Sequence, residues 1–363
     1  MKKKIRLFSP AFDDREIKAA VKALKSSTWA SGAGSRSVIE FEEKFKKYTS
    51  SSACITVNSG TAALHLALGL FDIRGKEVLV PSLTFVTTIH SILYNGGIPV
   101  FVDVDSDALC IDVDDLKEKI TKKTKVILPV HFGGHPCNIN KIRDVAKQNS
   151  LKTVYDAAHA CGAKYHNEII GSQEDAVCFS FHPVKNLAMP KGGAITINTN
   201  NSIQIKEKLN ALRWCGITNR KNSFYDVSYL GFNHYMDEIS AAIGIEQLKK
   251  ISKLNKRRLE IAKRYDSELN IDRKIPLNKN CSYHLYWIRI KNRNRFLDYM
   301  QARGIEVGTH YSPAHLMSFY SSKSKLAVTE EVGNEIVTLP MHPNLTDDDL
   351  DRILKTVNSF GNN

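Results

Sequence analysis

The sequence predicts an α/β protein, a mostly parallel sheet with helices on both faces, followed by a smaller α+β unit. Three observations carry that prediction. Seven short, nearly all-apolar runs alternate with helical patterns; an amphipathic stretch from Met236 breaks the alternation; and 363 residues, 42% of them apolar, can fill a large core. The strand-like runs are ACITV at 53–57, EVLVPS at 77–82, PVFVDV at 99–104, KVILPVHF at 125–132, KTVYDAA at 152–158, AVCFSF at 176–181 and AITIN at 194–198. Short, β-branched and apolar on both faces, they suit a sheet covered on both sides. Helical patterns follow the first two runs, in TAALHLALGL and FVTTIHSILYNGG.

From Met236 the apolar residues recur at three- and four-residue steps for about nine turns, which predicts a connecting helix over about 236–268. Beyond it, SYHLYWIRI at 282–290, a helix at 295–303, the run EVGTHYS at 306–312 and a final helix from Asp347 form the smaller unit. The predicted division is residues 1–250 for the large domain and 251–363 for the small one. No solenoid-period repeat or low-complexity tract interrupts it.

Composition excludes disordered, coiled-coil and collagen-like classes. The formal charge of +13 suits an anionic ligand, yet the basic residues are scattered through MKKKIR, EKITKKTK and NKRR, as on solvated faces. No zinc-finger, basic-zipper or RNA-binding signature accompanies them, so no nucleic-acid partner is expected. The seven cysteines lie at least 17 residues apart and are odd in number, which suggests neither a disulfide framework nor a CxxC metal site. With no apolar leader core after the basic start and no apolar run near 18 residues, a soluble, cytoplasmic protein without membrane attachment is expected.

Three segments hold candidate chemistry. In VNSGTAALHLAL at 57–68 a strand ends in Asn-Ser-Gly-Thr and a helix begins, so the free amides of Gly60, Thr61 and Ala62 with the Thr61 hydroxyl make a phosphate cradle at the positive helix end. An ordinary capped βα turn would read the same way. In YDAAHACGAKY, Asp156 falls at the carboxyl end of a strand, where α/β ligand sites lie, and can hold a heterocyclic cation; His159 can donate a hydrogen bond nearby. A helix cap and a satisfied core histidine are the competing readings. In CFSFHPVKNLAMPKGG, Lys185 sits between two strands with Ser180 five residues before it, a corner suited to Schiff-base chemistry, although most lysines only solvate.

Taken together, NSGTAALHLAL, VPSLTFVTTIHSILYNGGIPVFVDVD, YDAAHACGA, SFHPVKNL with its following Gly-Gly, and GFNHYMDEISAAIGIEQL resemble the DegT/DnrJ/EryC1/StrS aminotransferases of nucleotide-linked keto sugars. The resemblance runs from about Leu7 to the last helix. It implies the fold type I of pyridoxal phosphate enzymes, with a seven-stranded large-domain sheet. It makes Lys185 the catalytic lysine that bonds pyridoxal 5'-phosphate (PLP), a cofactor cycling through pyridoxamine phosphate (PMP), and then shuttles the proton. Asp156 would pair with the ring nitrogen, Phe85 would stack on the ring, and His159 would lie against the phenolic oxygen. Gly60, Thr61 and Ser180 would hold the phosphate, and Asn233 would reach the partner's phosphate in a homodimer with composite sites.

Two departures stand out. Lys191 in MPKGG replaces the glutamate of the family's Gly-Glu-Gly-Gly, either to bind an anionic part of the substrate or merely to face solvent, the second being preferred. Tyr235 replaces the arginine or lysine usual two residues after the shared asparagine. By the resemblance, sugar and nucleotide would be held near Trp29, Arg36 and His310, and around Trp214 and Tyr225. His131, His135, His310 and His315 have loosely metal-like spacings, but no carboxylate or cysteine completes a set, so no metal is expected. The resemblance implies amino transfer from L-glutamate to a nucleotide-linked keto (deoxy)sugar, for amino-sugar or surface-glycan biosynthesis. Its alternatives are a sugar dehydratase using the same cofactor, against which Lys185 argues, and a non-catalytic ligand sensor.

Overall fold

The computed structural model describes residues 4–173, 175–320 and 322–360; Met1 to Lys3 of the basic start lie outside them. Helix α1 (Asp14–Lys25) opens with a capping box in which the Glu16 carboxylate accepts from the Asp13 N–H at 2.9 Å, and α2 (Arg36–Thr49) follows. The alternation then begins: β1 (Ala53–Val57), α3 (Gly60–Leu68), β2 (Glu77–Pro81), α4 (Val86–Tyr94), β3 (Ile98–Val102), α5 (Val113–Glu118), β4 (Thr124–Ile127), α6 (Ile139–Gln148) and β5 (Lys152–Asp156). A small hairpin of β6 (Lys164–Tyr165) and β7 (Glu168–Ile169) precedes β8 (Ala176–Ser180), β9 (Gly193–Ile197) and α7 (Ser202–Arg213).

Seven of these strands make one sheet in the order β1-β9-β8-β5-β4-β2-β3. They are the seven runs read from the sequence. Strand β9 is antiparallel to both its neighbours, β1 and β8, while the other pairings are parallel. Strands β1, β8 and β9 are buried along their whole length, as a doubly covered sheet requires. The reversal of β9 has a functional consequence. Its first residues lie at the same sheet edge as the last residues of β8, so the turn of residues 181–192, which carries Lys185, hangs over the carboxyl edge where β2, β4 and β5 also end.

A hairpin of β10 (Ile217–Lys221) and β11 (Phe224–Val227) leads to α8 (Glu238–Glu268), capped by Asp237 and about 46 Å long by helix geometry. Its first half packs on α1 and α2 and its last turns meet the C-terminal unit, where the Tyr265 hydroxyl donates to the Pro340 carbonyl at 2.9 Å. That unit contains β12 (Tyr286–Arg289), α9 (Arg293–Ala302), α10 (Ala327–Glu335), β13 (Ile336–Leu339) and α11 (Asp347–Asn358), with β12 antiparallel to β13. Residues 306–312 make no strand of their own: Gly308 bridges Thr338, and the chain then turns so that His310 and Tyr311 face the large unit. Residues 5–8 run with the C-terminal unit, Ile5 bridging Ile305 and Leu7 accepting from the Met341 N–H. Among the described residues no helix is long and apolar enough to cross a membrane.

Candidate active site

A cavity of about 450 Å³ opens at the carboxyl edge of the sheet. Lining it are Gly60, Thr61, Phe85, Asp156, His159, Ser180, Lys185 and His310, residues separated by up to 250 positions in the chain. Trp29, Arg36 and Asn233 are not in its wall. The Trp29 indole, 59% exposed, donates to the Leu24 carbonyl; Arg36 opens α2 in solvent; and exposed Asn233 accepts from the Asn58 amide at 3.2 Å, one residue behind the cradle.

Helix α3 is capped by Ser59, whose hydroxyl accepts from the Ala62 N–H at 3.1 Å, so the Ala62 amide expected in the cradle is already bonded. The first-turn N–H groups of Gly60 and Thr61 have no carbonyl within the helix to bond, and they point their partial positive charge at the cavity. A Cβ on Gly60 would stand 2.7 Å from the Ser180 Cβ, so glycine lets the helix end close against β8. Gly193 meets the same constraint, its Cβ position lying 2.5 Å from the Ser59 carbonyl oxygen.

Asp156, at the end of β5, is 4% exposed. Its Oδ2 accepts from the Thr88 hydroxyl at 2.8 Å and its Oδ1 from the Ala158 N–H at 3.0 Å. Burial raises its pKa above the usual carboxylate value, and these two donors with the Lys185 charge oppose the rise. Burial lowers the Lys185 pKa to about 8, against the opposing pull of Asp156. At neutral pH an appreciable share of that amine is therefore uncharged, as a nucleophile requires.

Four histidines surround the lysine. His159 accepts from the Gly133 N–H at Nδ1 (3.3 Å), which leaves Nε2 as the protonated nitrogen and the donor to the Tyr311 hydroxyl at 3.2 Å. Burial first, then the charges of Lys185 and His310, keep His159 neutral. Burial pushes His310 down to about 4, and its Nδ1 meets the Thr338 hydroxyl at 2.8 Å. His182 and His284 are also lowered by burial, then by Lys185. Phe85, half exposed, lies 5.9 Å from the Tyr311 ring. Lys191 is exposed yet lines the cavity rim, so it faces solvent and the site at once.

Sequence reasoning missed Thr88, Phe8, Tyr311 and His284. Thr88 lies three residues after Phe85, in the first turn of α4, and Tyr311 stands inside the quoted THYS. His284 left a fainter trace, a polar residue set among aromatic and aliphatic ones in SYHLYWIRI. The metal-like histidines are engaged elsewhere: His131 accepts from the Cys137 N–H at 3.0 Å, His135 meets the Asn278 amide, and His315 meets the Ser82 hydroxyl at 2.7 Å. Among the described residues no group of three or more metal-capable side chains gathers.

The model of the DegT/DnrJ/EryC1/StrS aminotransferase family matches residues 10–358. The chain belongs to this family. It is 35% identical over 375 residues to an uncharacterized protein of Methanocaldococcus jannaschii, covering 96% of each chain. It is 32% identical over 366 residues to GDP-perosamine synthase of Escherichia coli O157:H7, covering 99% of each. A Streptococcus pneumoniae protein described as a sugar aminotransferase, solved in its PLP form, superposes with a TM-score of 0.93 at 28% identity over 98% of both chains. The same protein is solved in apo and PMP forms. PseC of Helicobacter pylori, an aminotransferase involved in the biosynthesis of pseudoaminic acid, superposes at 0.92 with 27% identity over 98% of both chains. This family member is a PLP-dependent aminotransferase with the fold type I architecture, its cofactor alternating between PLP and PMP.

Proposed function

We propose that the enzyme transfers an amino group from L-glutamate to the keto group of a nucleotide-linked (deoxy)sugar, and that Lys185, Asp156 and the Gly60 cradle perform the chemistry. The observation that carries this reading is the single cavity in which a buried amine, lowered to about 8, faces a buried carboxylate beside a helix N-terminus held open by Gly60. These groups fit PLP: the cradle takes a phosphate, the carboxylate a pyridinium nitrogen and the amine an aldehyde. When bound, the cofactor supplies an electron sink for bond cleavage at the amino-bearing carbon.

The remaining work falls to the chain's own residues. Lys185 takes and returns the proton, for which a pKa near the working pH is the useful value. Asp156, steadied by Thr88 and Ala158, keeps positive charge at the ring nitrogen. Phe85 would stack on the cofactor ring, and His159, held neutral with its Nε2 proton toward Tyr311, would lie against the phenolic oxygen. Gly60, Thr61 and Ser180 anchor the phosphate, with Asn233 reaching the partner's cofactor across a homodimer. Trp29, Arg36 and His310 lie on the elements assigned to sugar and nucleotide.

Support for the acceptor class comes from relatives: a GDP-perosamine synthase along 99% of the chain and an aminotransferase of pseudoaminic acid biosynthesis by structure. We read the protein as cytoplasmic, in keeping with seven free cysteines, six of them buried. The large domain spans residues 1–250 and the small one 251–363, with residues 5–8 joining the C-terminal unit. Incubation with isotopically labelled glutamate and a panel of nucleotide-linked keto sugars tests the function. The label should enter one class of acceptor and be absent with Lys185→Ala; glutamate-driven turnover with no sugar labelled would sink the acceptor assignment.

A further inference from the structure

We propose that His284 is the positioning residue for Lys185, its unprotonated Nε2 accepting a hydrogen bond from the lysine amine and fixing both the direction of that amine and its hold on a proton. The inference rests on Lys185 being the reactive amine, as argued above, and adds a residue from the opposite unit of the molecule.

The Lys185 Nζ and His284 Nε2 atoms are 3.5 Å apart although 99 residues separate them in the chain. The ionisable groups acting on Lys185 are Asp156 from β5, His159 beyond it, His182 on the lysine's own turn, His310 and His284. Each of the others has a hydrogen-bond partner of its own. Asp156 accepts from Thr88 and Ala158, His159 uses both nitrogens on Gly133 and Tyr311, His310 meets Thr338, and His182 accepts from the Val184 N–H. Among the described residues, Nε2 of His284 faces the amine without another hydrogen bond.

The imidazole is built into place. Its ring is 2% exposed and packed between Phe8, 5.6 Å away and nearly coplanar at 11°, and His159 at 4.4 Å. The backbone around it is tied to the large unit on both sides: Ser282 N–H donates to Gly134 and Leu285 N–H to Gly133, while the Ser282 hydroxyl donates to the His159 carbonyl at 2.8 Å. The Asn186 amide, next to Lys185, donates to the Ser282 carbonyl at 2.7 Å. One short segment thus fixes the lysine's neighbour through its backbone and the amine through a side chain. Burial and the neighbouring cation keep the ring neutral, so one nitrogen stays unprotonated; with the proton at Nδ1, Nε2 is the acceptor for the amine.

An acceptor stabilises the ammonium more than the amine, so its removal should lower the lysine pKa further. The test uses the full chain loaded with PMP, in which Lys185 has a free amine. Acylation of Lys185 by acetic anhydride is followed by peptide mass spectrometry over a pH series for wild type, His284→Gln and His284→Leu. Glutamine keeps an oxygen near the Nε2 position; leucine keeps bulk alone. Wild type should titrate near 8, glutamine close to it, and leucine about one pH unit lower, with faster acylation at neutral pH. Leucine and glutamine moving the midpoint alike, or neither moving it, overturns the proposal in favour of plain packing. If His284→Leu does not fold, His284→Met serves as the apolar variant. Failure of the underlying reading would appear separately, as a glutamate half reaction that survives Lys185→Ala.

Discussion

Burying Lys185 among histidines costs stability, and that cost has a pH signature. The folded-state pKa of about 8 lies below the reference 10.5, so between those values the unfolded chain binds more protons and folding stability rises with pH. Below about pH 8 the penalty is present in full, on the order of 3 kcal/mol. In the cofactor-free protein, Lys185→Met should be more stable than wild type near neutral pH and the gap should close toward pH 10, as read by urea unfolding at each pH. A gap independent of pH would mean that the amine is solvated. Gly60 acts by close approach. With its Cβ position 2.7 Å from Ser180, Gly60→Ala should push α3 off β8 and weaken PMP binding about tenfold or more in a fluorescence titration, overpacking of this kind costing about 1–3 kcal/mol. Unchanged affinity would remove the cradle from the account.

At the scale of elements, the site depends on how β1 delivers its last residues to the cradle. A buried ion pair fixes that strand: Arg213 of α7 bonds Glu42 of α2 and the Thr56 carbonyl, and the Thr56 N–H and hydroxyl both donate to the Glu42 carboxylate at 2.9 Å. Both charged groups are almost wholly buried. Glu42→Ala strands the guanidinium and should cost about 3–5 kcal/mol in denaturant unfolding, with Glu42→Gln losing less because an acceptor remains. Equal losses would mean that the neutral acceptor contributes nothing and the charge carries the whole effect. The seven central strands were legible in the sequence because burial on both faces wrote them as continuous apolar runs. The β10–β11 hairpin was not, since ITNRK and FYDV are largely exposed in the single chain and show no apolar alternation. The helix α8 was legible almost to its ends because Asp237 caps it where the periodicity starts.

At the scale of the whole molecule, Lys185, Asp156, His159, Ser180 and Gly60 were legible because each ends or follows a strand of one sheet, and parallel strands deliver their carboxyl ends to a common edge. Phe8, His284, Tyr311 and Thr88 were not: Phe8 and Tyr311 reach the cavity, and His284 reaches Lys185, only when the N-terminal segment and the C-terminal unit fold against the sheet edge, and Thr88 meets Asp156 across 68 residues. Phe224 (82%) and Leu230 (90%) are exposed, as is Asn233, three residues after Leu230 in the chain, and together they offer a surface for a second copy. In the proposed homodimer that surface is covered. Leu230→Lys should shift sedimentation toward monomer and weaken cofactor binding in parallel; a dimer indifferent to the change would place the interface elsewhere.

The enzyme's chemistry depends most directly on the bond between Lys185 and the cofactor. The decisive measurement is an absorption spectrum of the purified protein with PLP, before and after excess glutamate, beside Lys185→Ala. Wild type should show the long-wavelength band of a lysine-linked cofactor and lose it to a shorter-wavelength band when glutamate is added, while the variant shows neither change. A wild-type spectrum identical to free PLP, or a variant that responds to glutamate as wild type does, would contradict it.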